Sequence, residues 1–437
     1  MTRRARVWAA LLAVPLLAAL VVGGAWLREA WMASRPAAGG PLESANGQAV
    51  PVTPAMLERG AYLARIANCA GCHSVKGQPP MAGGLALGTP FGTLYSSNLT
   101  PDPETGLGRW TADQFWDALH QGRGREGRLL YPAFPYTSYT GMTRADSDAI
   151  FAWLRQLPPE QRVTPEHQLG WPYRMQSALA VWRLMYFRAG DAQTPGGAVS
   201  AAPKDRGRYL VEAVGHCAEC HAPRNRLGAL RDAPGLRGGW VGVQGWVAPS
   251  LADPREAGVQ DWRDEDVRQW LRSGWSAHGA ALGPMADVVA ESLQFLSDGD
   301  AAAISAHLRG LPREQGERPA FEPAPAAQMA LGRQVYDRHC VDCHGDQGQG
   351  RRIDGQPAYP PLAGNRGVTQ LSSQNVLQVL ANGAFAPVTP GHRRPYGMPP
   401  MRQVLSTAEM AAVASMIRQS WGNQASAVDE QAVMRLP

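Results

Sequence analysis

CAGCH, residues 69–73, is the stretch of sequence that decides the fold, and the chain contains its pattern three times. The second copy is CAECH, residues 217–221, and the third is CVDCH, residues 340–344. The chain has 6 cysteines in 437 residues, so the three copies use every one of them. So few cysteines argue against a scaffold held by disulfides.

The Cys-x-x-Cys-His spacing is the signature of covalent c-type haem attachment. Two thiols bond to the two vinyl groups of one porphyrin, and the adjacent neutral imidazole is directed at the iron as its proximal ligand. The predicted attachment residues are Cys69, Cys72, His73, Cys217, Cys220, His221, Cys340, Cys343 and His344. We therefore expect three covalently bound haem c groups, with His73, His221 and His344 as iron ligands.

Other uses of a Cys-x-x-Cys pair fit this chain less well. A zinc site needs a second pair of cysteines or histidines to complete a tetrahedron, and three half-sites each followed by histidine do not supply one. A thioredoxin-like redox pair needs a βαβ context, which the flanking sequence lacks. Disulfides within each motif would leave the three histidines unexplained.

The N-terminus has the pattern of an export signal or a membrane anchor. Arg3, Arg4 and Arg6 precede an uncharged, mostly apolar run from Val7 to Trp26, which is long enough at about 30 Å to cross a bilayer core. The positive flank stays in the cytoplasm, so the remainder is expected outside it. No clean cleavage site follows, although Val22 and Gly24 are small residues that could precede a cut. Residues 1–30 are thus a signal peptide or an anchor, and 31–50 a linker.

The remainder consists of three similar stretches, at about 51–160, 201–315 and 326–425, separated by a segment at 161–200 that does not repeat. Each stretch begins with a helical pattern before its motif, continues with a 13-residue helical pattern ending in glycine, and closes with a helical pattern that places apolar residues at i and i+4. The segment 161–200 is expected to pack between the first two stretches or to contact a partner or the bilayer surface. Such stretches are small for domains, and small domains bury little apolar surface. A buried macrocycle would add apolar surface to the hydrophobic core of each stretch.

A haem that only transfers electrons usually has a sixth ligand, and methionine there raises its reduction potential. One methionine lies at the expected place in each of the first two stretches, Met142 and Met285. In the third, Met398 and Met401 compete. Met398 is preferred because it precedes a proline, which favours extended backbone. His278 and His392 also lie in suitable intervals but are expected to be exposed or on the propionate side.

With these residues in view, the chain resembles the three-haem cytochrome c subunits of membrane-bound bacterial dehydrogenases that oxidise alcohols, gluconate, sorbitol or aldehydes. The resemblance spans about residues 50–425. It rests on stretches such as SSNLTPDPETGLGRWT, LLYPAFPYTSYTGMT, GPMADVV, YPPLAGN and MPPM. It implies an all-α fold of three tandem class I cytochrome c domains after the N-terminal signal or anchor helix. Met401 stands where the family usually has an aromatic residue.

The expected role is electron relay on the periplasmic side of the bacterial inner membrane. The resemblance implies a catalytic partner subunit of the flavin, PQQ or molybdenum type, and quinone or a terminal oxidase as acceptor. No glycine-rich phosphate loop precedes a helix, so no nucleotide cofactor is expected. A net charge of +5 without a basic run gives no reason to expect nucleic acid. The alternatives are a catalytic multihaem enzyme with one open axial position and an independent periplasmic carrier.

Overall fold

The computed structural model describes residues 19–30, 51–190, 203–314, 319–393 and 396–437. It is mostly helical, and the chain forms two compact units. The first comprises Met1–Ala64 and Cys72–Ala198, and the second comprises Arg65–Gly71 and Val199–Pro437. The predicted linker 31–50 and most of the predicted apolar run lie outside the described residues. Within the described residues, no helix has the length and hydropathy needed to cross a bilayer.

The first stretch contains five helices and a hairpin, preceded by a helical segment α1 at residues 19–30. In chain order they are α2 (Pro54–Ile66), α3 (Cys69–His73), β1 (Ala86–Thr89), β2 (Gly92–Tyr95), α4 (Ala112–Gln121), α5 (Tyr136–Tyr139) and α6 (Arg144–Leu154). The intervening segment then adds β3 (Gln168–Leu169) and α7 (Gln176–Tyr186). Strand β3 pairs antiparallel with β2, so this segment joins the sheet of the first unit.

The second stretch repeats this plan with a longer connection. Its elements are α8 (Pro203–Tyr209), which continues as a π-helical turn, α9 (Ala218–His221), β4 (Gly239–Val241), β5 (Trp246–Ala248), α10 (Asp264–Ser273), β6 (Trp275–Ser276), β7 (Gly279–Ala280), α11 (Pro284–Glu291) and α12 (Asp298–Arg309). Short 3₁₀ turns lie at Ala233–Gly235, Gly242–Gln244 and Leu293–Phe295.

The third stretch follows the same plan around its motif, with one additional short helix before its second long helix and another at its end. Its elements are α13 (Ala326–His339), α14 (Val341–His344), β8 (Arg351–Ile353), β9 (Gln356–Tyr359), α15 (Arg366–Thr369), α16 (Gln374–Asn382), α17 (Thr407–Gln419) and α18 (Glu430–Met434). It packs on the second stretch within the second unit, where Asn375 exchanges two hydrogen bonds with the backbone of Val247, at 2.7 and 2.9 Å.

The mostly helical structure agrees with the all-α prediction, and small sheets are a feature that the prediction did not include. A two-stranded antiparallel pairing follows the motif in each stretch: β1 with β2, β4 with β5, and β8 with β9. These strands have three or four residues each, too short for a pattern of alternating hydrophobicity to stand out in the sequence. The class is therefore mostly helical, with hairpins between the motif and the second long helix.

The same helix crossing occurs in all three stretches. A Cβ atom on Gly60 of α2 would overlap the carbonyl oxygen of Ala149 on α6. Gly207 of α8 lies in the same way against Ala303 of α12, and Gly332 of α13 against Ala412 of α17. Two helices can approach this closely only where the crossing residue has no side chain. The first and last helices of each stretch are thus held in direct backbone contact.

The last helices bury the face that the sequence predicted. The pairs at i and i+4 are all at most 7% exposed: Ile150 and Leu154, Ile304 and Leu308, Val413 and Ile417. The residues that precede the last helices are Thr143, Ser297 and Ser406. The side-chain hydroxyl of each accepts a hydrogen bond from the backbone N–H of the third residue of its helix. Such caps satisfy backbone N–H groups that have no partner within the helix.

The glycines predicted to end the second long helices do so. Gly122, Gly274 and Gly383 follow α4, α10 and α16, each with a positive φ between 60° and 72°. The hydroxyl of Thr111 caps the first of these helices and forms a capping box with Gln114. The second of these helices instead begins after Arg263, whose side chain makes no cap, and acidic residues occupy its first turn.

Candidate haem sites

Each Cys-x-x-Cys-His motif forms a short helical turn that places its histidine beside a distant backbone carbonyl. His73 Nδ1 lies 2.7 Å from the carbonyl oxygen of Ser97. His221 Nδ1 lies 2.8 Å from that of Pro249, and His344 Nδ1 lies 3.1 Å from that of Pro360. A carbonyl oxygen can only accept, so Nδ1 carries the proton in all three rings. The lone pair is then on Nε2, as a metal-binding imidazole requires.

Burial favours the neutral form of these three histidines. It lowers the pKa of His73, His221 and His344 below the ordinary histidine value, and in each ring the hydrogen bond to the carbonyl opposes part of that change. A charged imidazolium has no lone pair for a metal. The environment and the hydrogen bond therefore specify the same species, a neutral ring with Nε2 available.

A glycine turn supports each histidine from behind. The N–H groups of Gly83, Gly238 and Gly350 donate to the carbonyl oxygens of His73, His221 and His344, each at 2.8 Å. All three glycines have φ between 72° and 80°, in the left-handed region. The residue two positions earlier, Met81, Leu236 or Gly348, also has a positive φ. This double left-handed turn brings the carbonyl that accepts from the ring into position.

A leucine closes the same loop in each stretch. The N–H groups of Leu99, Leu251 and Leu362 donate to the carbonyl oxygens of Met81, Leu236 and Gly348, at 2.7 or 2.8 Å. These leucines each stand two residues after the carbonyl that binds the histidine. The leucine that SSNLT, PSLAD and PPLAG have in common could have indicated this loop from the sequence. It was not among the predicted site residues.

The structure holds all six cysteines as thiols. Cys72 and Cys220 are exposed, Cys69, Cys217 and Cys343 are half-buried, and Cys340 is buried. Burial and the neighbouring motif cysteine raise the pKa of Cys217 to about 12 and that of Cys340 to about 11. The thiols of Cys217 and Cys340 are therefore protonated at neutral pH. The cysteines of each motif lie in or next to the short helix that carries its histidine.

An unsatisfied buried polar atom in the second stretch also fits a bound macrocycle with acidic substituents. Trp262 is 8% exposed, and its indole Nε1 has no hydrogen-bond partner. Its ring is stacked on that of His278, with centroids 4.0 Å apart. A buried N–H without an acceptor is costly unless a bound group supplies one. The thiols, neutral imidazoles and this donor are together suited to holding haem c.

The predicted sixth ligands lie in three different local structures. Met142 is 3% exposed and follows α5, where its N–H donates to the carbonyl of Tyr139. Met285 is half-buried in the first turn of α11. Met398 forms an isolated antiparallel bridge with Ala384, with hydrogen bonds of 2.8 and 3.1 Å, so its backbone is extended as predicted.

The third stretch brings both candidate methionines to its core. Met398 and Met401 pack against the hydrophobic cluster that contains Cys340 and Tyr336. The N–H of Met401 donates to the carbonyl of Leu380 at 2.8 Å. The competing His392 is 5% exposed rather than exposed, its ring lies 5.0 Å from that of Trp275, and its Nε2 is 3.1 Å from the carbonyl oxygen of Pro357.

Comparisons with known proteins identify similar chains. The cytochrome c family model matches residues 57–158 and 329–421. The cytochrome c subunit of alcohol dehydrogenase (quinone) from Gluconacetobacter polyoxogenes is 35% identical over 401 residues, which cover 87% of this chain and 84% of the relative. The gluconate 2-dehydrogenase cytochrome c subunit of Pantoea cypripedii is 36% identical over 394 residues, covering 85% and 87%.

A third relative is the fructose dehydrogenase cytochrome subunit of Gluconobacter japonicus. It is 32% identical over 432 residues, which cover 90% of this chain and 87% of the relative. The family model matches the first and third motifs, whereas the longer alignments cover most of the chain.

Proposed function

This chain belongs to the family of the cytochrome c subunits of alcohol, gluconate and fructose dehydrogenases, and from this premise we propose a three-haem relay that serves a partner dehydrogenase. Proteins of this family transfer electrons and are not the catalytic subunits of their complexes. In the proposed relay, a partner of the flavin, PQQ or molybdenum type supplies the electrons. Quinone or a terminal oxidase receives them.

The observation that carries the count of three is the repeated support of the motif histidine. In each stretch Nδ1 is bound to a backbone carbonyl, and the histidine carbonyl is bound by a left-handed glycine. A local sequence motif does not by itself require this arrangement, because the accepting carbonyls lie 24, 28 and 16 residues away in the chain. Three sites of one design support three domains at 51–160, 201–315 and 326–425.

We assign the axial ligands in pairs. His73 and Met142 would bind the first iron, His221 and Met285 the second, and His344 and Met398 the third, with Met401 as the competitor of Met398. His278 and His392 are less suitable because each ring is engaged in an aromatic contact, with Trp262 and with Trp275 respectively. Two protein ligands for each iron leave no position for substrate.

The chain's own residues determine what each site can do. Bound haem c supplies a one-electron couple on its iron. The thiols would attach the macrocycle covalently, and the carbonyl of Ser97, Pro249 or Pro360 fixes the orientation of the imidazole. Hydrogen bonding to the ligand and burial are also the means by which a protein adjusts a haem potential.

The proposed location is the periplasmic side of the inner membrane, anchored or peripheral. The positively charged N-terminus followed by an apolar run supports export. Covalent haem attachment in bacteria takes place outside the cytoplasm, which agrees with that location.

Carbon monoxide distinguishes the relay from a catalytic haem enzyme. The full chain, produced in a host that exports and matures cytochromes c, is expected to gain three macrocycles in its denatured mass. Its reduced spectrum at neutral pH should be unchanged by carbon monoxide, because both axial positions of each iron are taken. A mass with fewer macrocycles would contradict the count, and strong carbon monoxide binding would favour an enzyme. Purification without any associated dehydrogenase would favour an independent carrier.

A further inference from the structure

A buried carboxylate lies at the end of the N-terminal helical segment. Glu29 is 3% exposed, and Ala25, one helical turn earlier, is 2% exposed. Residues four apart lie on the same face of a helix, so this face of α1 is directed into the protein. Glutamate is almost never this buried unless its charge is paired. A specific partner must therefore hold Glu29 in place.

Two buried arginines provide the partner. The Glu29 carboxylate accepts a hydrogen bond from Nη2 of Arg123, and Arg123 Nη1 donates to the carbonyl oxygen of Glu29 at 2.8 Å. Arg183 Nε lies 3.5 Å from the same carboxylate. Arg123 is 5% exposed and Arg183 is 1% exposed. Asp117 also acts on Arg123 electrostatically, but Glu29 is the carboxylate that forms an ion pair with both guanidinium groups.

Removal of Glu29 would leave two buried cations facing each other. Arg183 would keep its hydrogen bond to the carbonyl of Gln121, at 2.8 Å, and its position over the rings of Tyr136 and Phe187. Neither contact supplies a negative charge. Breaking a buried ion pair by removing one member is strongly destabilising, since the other charge stays out of water. The folded first unit therefore needs the carboxylate of Glu29 to neutralise Arg123 and Arg183.

The buried position of Ala25 argues against cleavage just before it. Ala25 packs in a cluster with Leu129, Leu179 and Ala180. A cut after Gly24 would make Ala25 the first residue and give it a charged ammonium group. Burying such a charge among apolar side chains is costly. The candidate cut after Gly24 therefore lies where the folded protein disfavours a new terminus.

The outward face of α1 has the opposite chemistry. Most of its exposed side chains are apolar, and these are 40% to 68% exposed: Leu20, Val21, Val22, Trp26 and Leu27. The exposed charged side chain is that of Arg28, at the end of the segment, where it pairs with Glu29. The sequence before them is apolar back to Val7 and is preceded by three arginines. Trp26 stands at the end of this run, a position where tryptophan is enriched at membrane interfaces.

We propose that residues 1–30 remain in the mature protein, with Glu29 fastening α1 to Arg123 and Arg183 while the outward apolar face of α1 lies in the lipid bilayer. The N-terminal segment is then an anchor rather than a cleaved signal. This inference uses the export direction of the proposed function but not the number or ligands of the haems.

The N-terminus of the mature protein tests the proposal directly. The full-length holoprotein is isolated from membranes of a host that matures cytochromes c, and its N-terminal peptide is identified by mass spectrometry. We expect the chain to begin upstream of Leu20 and to stay with the membranes after a high-salt or carbonate wash. A chain beginning at Leu20 or later would overturn the proposal, as would release by the wash. Three haems on such a shortened chain would leave the proposed function intact.

A pair of variants tests the ion pair itself. Glu29→Gln in the detergent-solubilised holoprotein is expected to lower the melting temperature by at least about 5 °C. Glu58→Gln removes an exposed carboxylate from α2 of the same unit and should leave the melting temperature unchanged. Equal melting of wild type and Glu29→Gln would overturn the proposal. The N-terminus measurement needs no variant, so the test does not depend on Glu29→Gln folding.

Discussion

At the scale of single residues, the chemistry of each site depends on which ring nitrogen carries a proton. The carbonyl oxygens of Ser97, Pro249 and Pro360 fix that choice by accepting from Nδ1. A hydrogen bond on the far side of a ligating histidine also orients the ring and raises its basicity as a ligand. The three residues are a serine and two prolines, so they share no side-chain chemistry. Only their backbone carbonyl oxygens bind the histidines.

The assignment of Met285 leads to a test at this scale. Met285→Ala should retain three covalent haems, because the thioether links do not involve it, but one iron should lose its sixth ligand. The potential of that haem is expected to fall, since methionine raises it, and carbon monoxide should then bind to one site. A spectroelectrochemical titration measures both effects.

Met434→Ala is the matched control for this variant. Met434 is 65% exposed near the C-terminus, so its removal should change none of the three potentials. If the absorption of the methionine–iron bond keeps its full intensity in Met285→Ala, the ligand assignment in the second stretch is wrong.

At the scale of elements, the first and last helices of each stretch define one structural unit. Gly60, Gly207 and Gly332 mark their crossing. In two of the stretches an ion pair lies beside the crossing, Arg59 with Asp146 at 2.6 Å and Arg206 with Asp300 at 2.8 Å. Because the backbone contact leaves no room for a methyl group, these glycines are the positions where a small substitution should have a large effect.

A glycine pair in the second stretch tests this crossing. Gly207→Ala would place a Cβ against the carbonyl of Ala303, and we expect it to lower the free energy of unfolding by about 2–4 kcal/mol. Gly299→Ala lies on the opposing helix with nothing within 4 Å of the added carbon, so it should raise stability by less than about 1 kcal/mol. Denaturant melts of the two holoproteins provide the comparison. Similar effects of both substitutions would show that the crossing tolerates a methyl group.

The N-terminus of α17 predicts a pH dependence. Ser406 donates to the carboxylate of Glu409 through its N–H at 2.9 Å and its hydroxyl at 2.8 Å, and these bonds lower the pKa of Glu409. Because the folded pKa is below the unfolded one, the stabilisation is complete above the unfolded value of about 4.3 and is lost as the pH falls through the folded value.

Glu409→Gln removes this titration. The difference in unfolding free energy between wild type and variant should therefore shrink as the pH is lowered from about 6 towards about 3. Thermal melts at intermediate pH values follow the difference. The capping box of α4 already contains a glutamine, Gln114, so Gln114→Ala should shift stability by an amount that does not vary with pH. A pH-independent effect of Glu409→Gln would contradict the assigned cause.

At the scale of the whole molecule, three small stretches each surround one motif. Each contributes few long helices to a core of its own, and small domains bury a limited fraction of their surface. The buried Nε1–H of Trp262 also has no hydrogen-bond acceptor among the described residues, and a bound group could supply one. Folding and haem attachment are therefore expected to be coupled, as in other domains whose cofactor completes the core.

The haem-free chain tests that coupling. Produced in cells without cytochrome maturation, it should have a weaker helical circular dichroism signal than the holoprotein and should melt without a sharp transition. The holoprotein from maturing cells serves as the control. Equal helical signals and equally cooperative melts would show that the side chains alone are sufficient for the core.

The sequence by itself determined the parts of this protein that depend on neighbouring residues. The three Cys-x-x-Cys-His motifs, the helices ended by Gly122, Gly274 and Gly383, and the buried face of each last helix follow from spacing within one or two turns. The short hairpins did not stand out, because a few residues of strand carry little periodic signal.

The tertiary structure alone decided which backbone atoms meet across long separations. The carbonyl of Ser97 binds His73 from 24 residues away, and α2 reaches the carbonyl of Ala149 through Gly60. Glu29 likewise pairs with Arg123, 94 residues later. A backbone carbonyl carries no side-chain signature, and a charge does not indicate its partner. Such contacts are determined by the packing of the whole fold, which places those groups side by side.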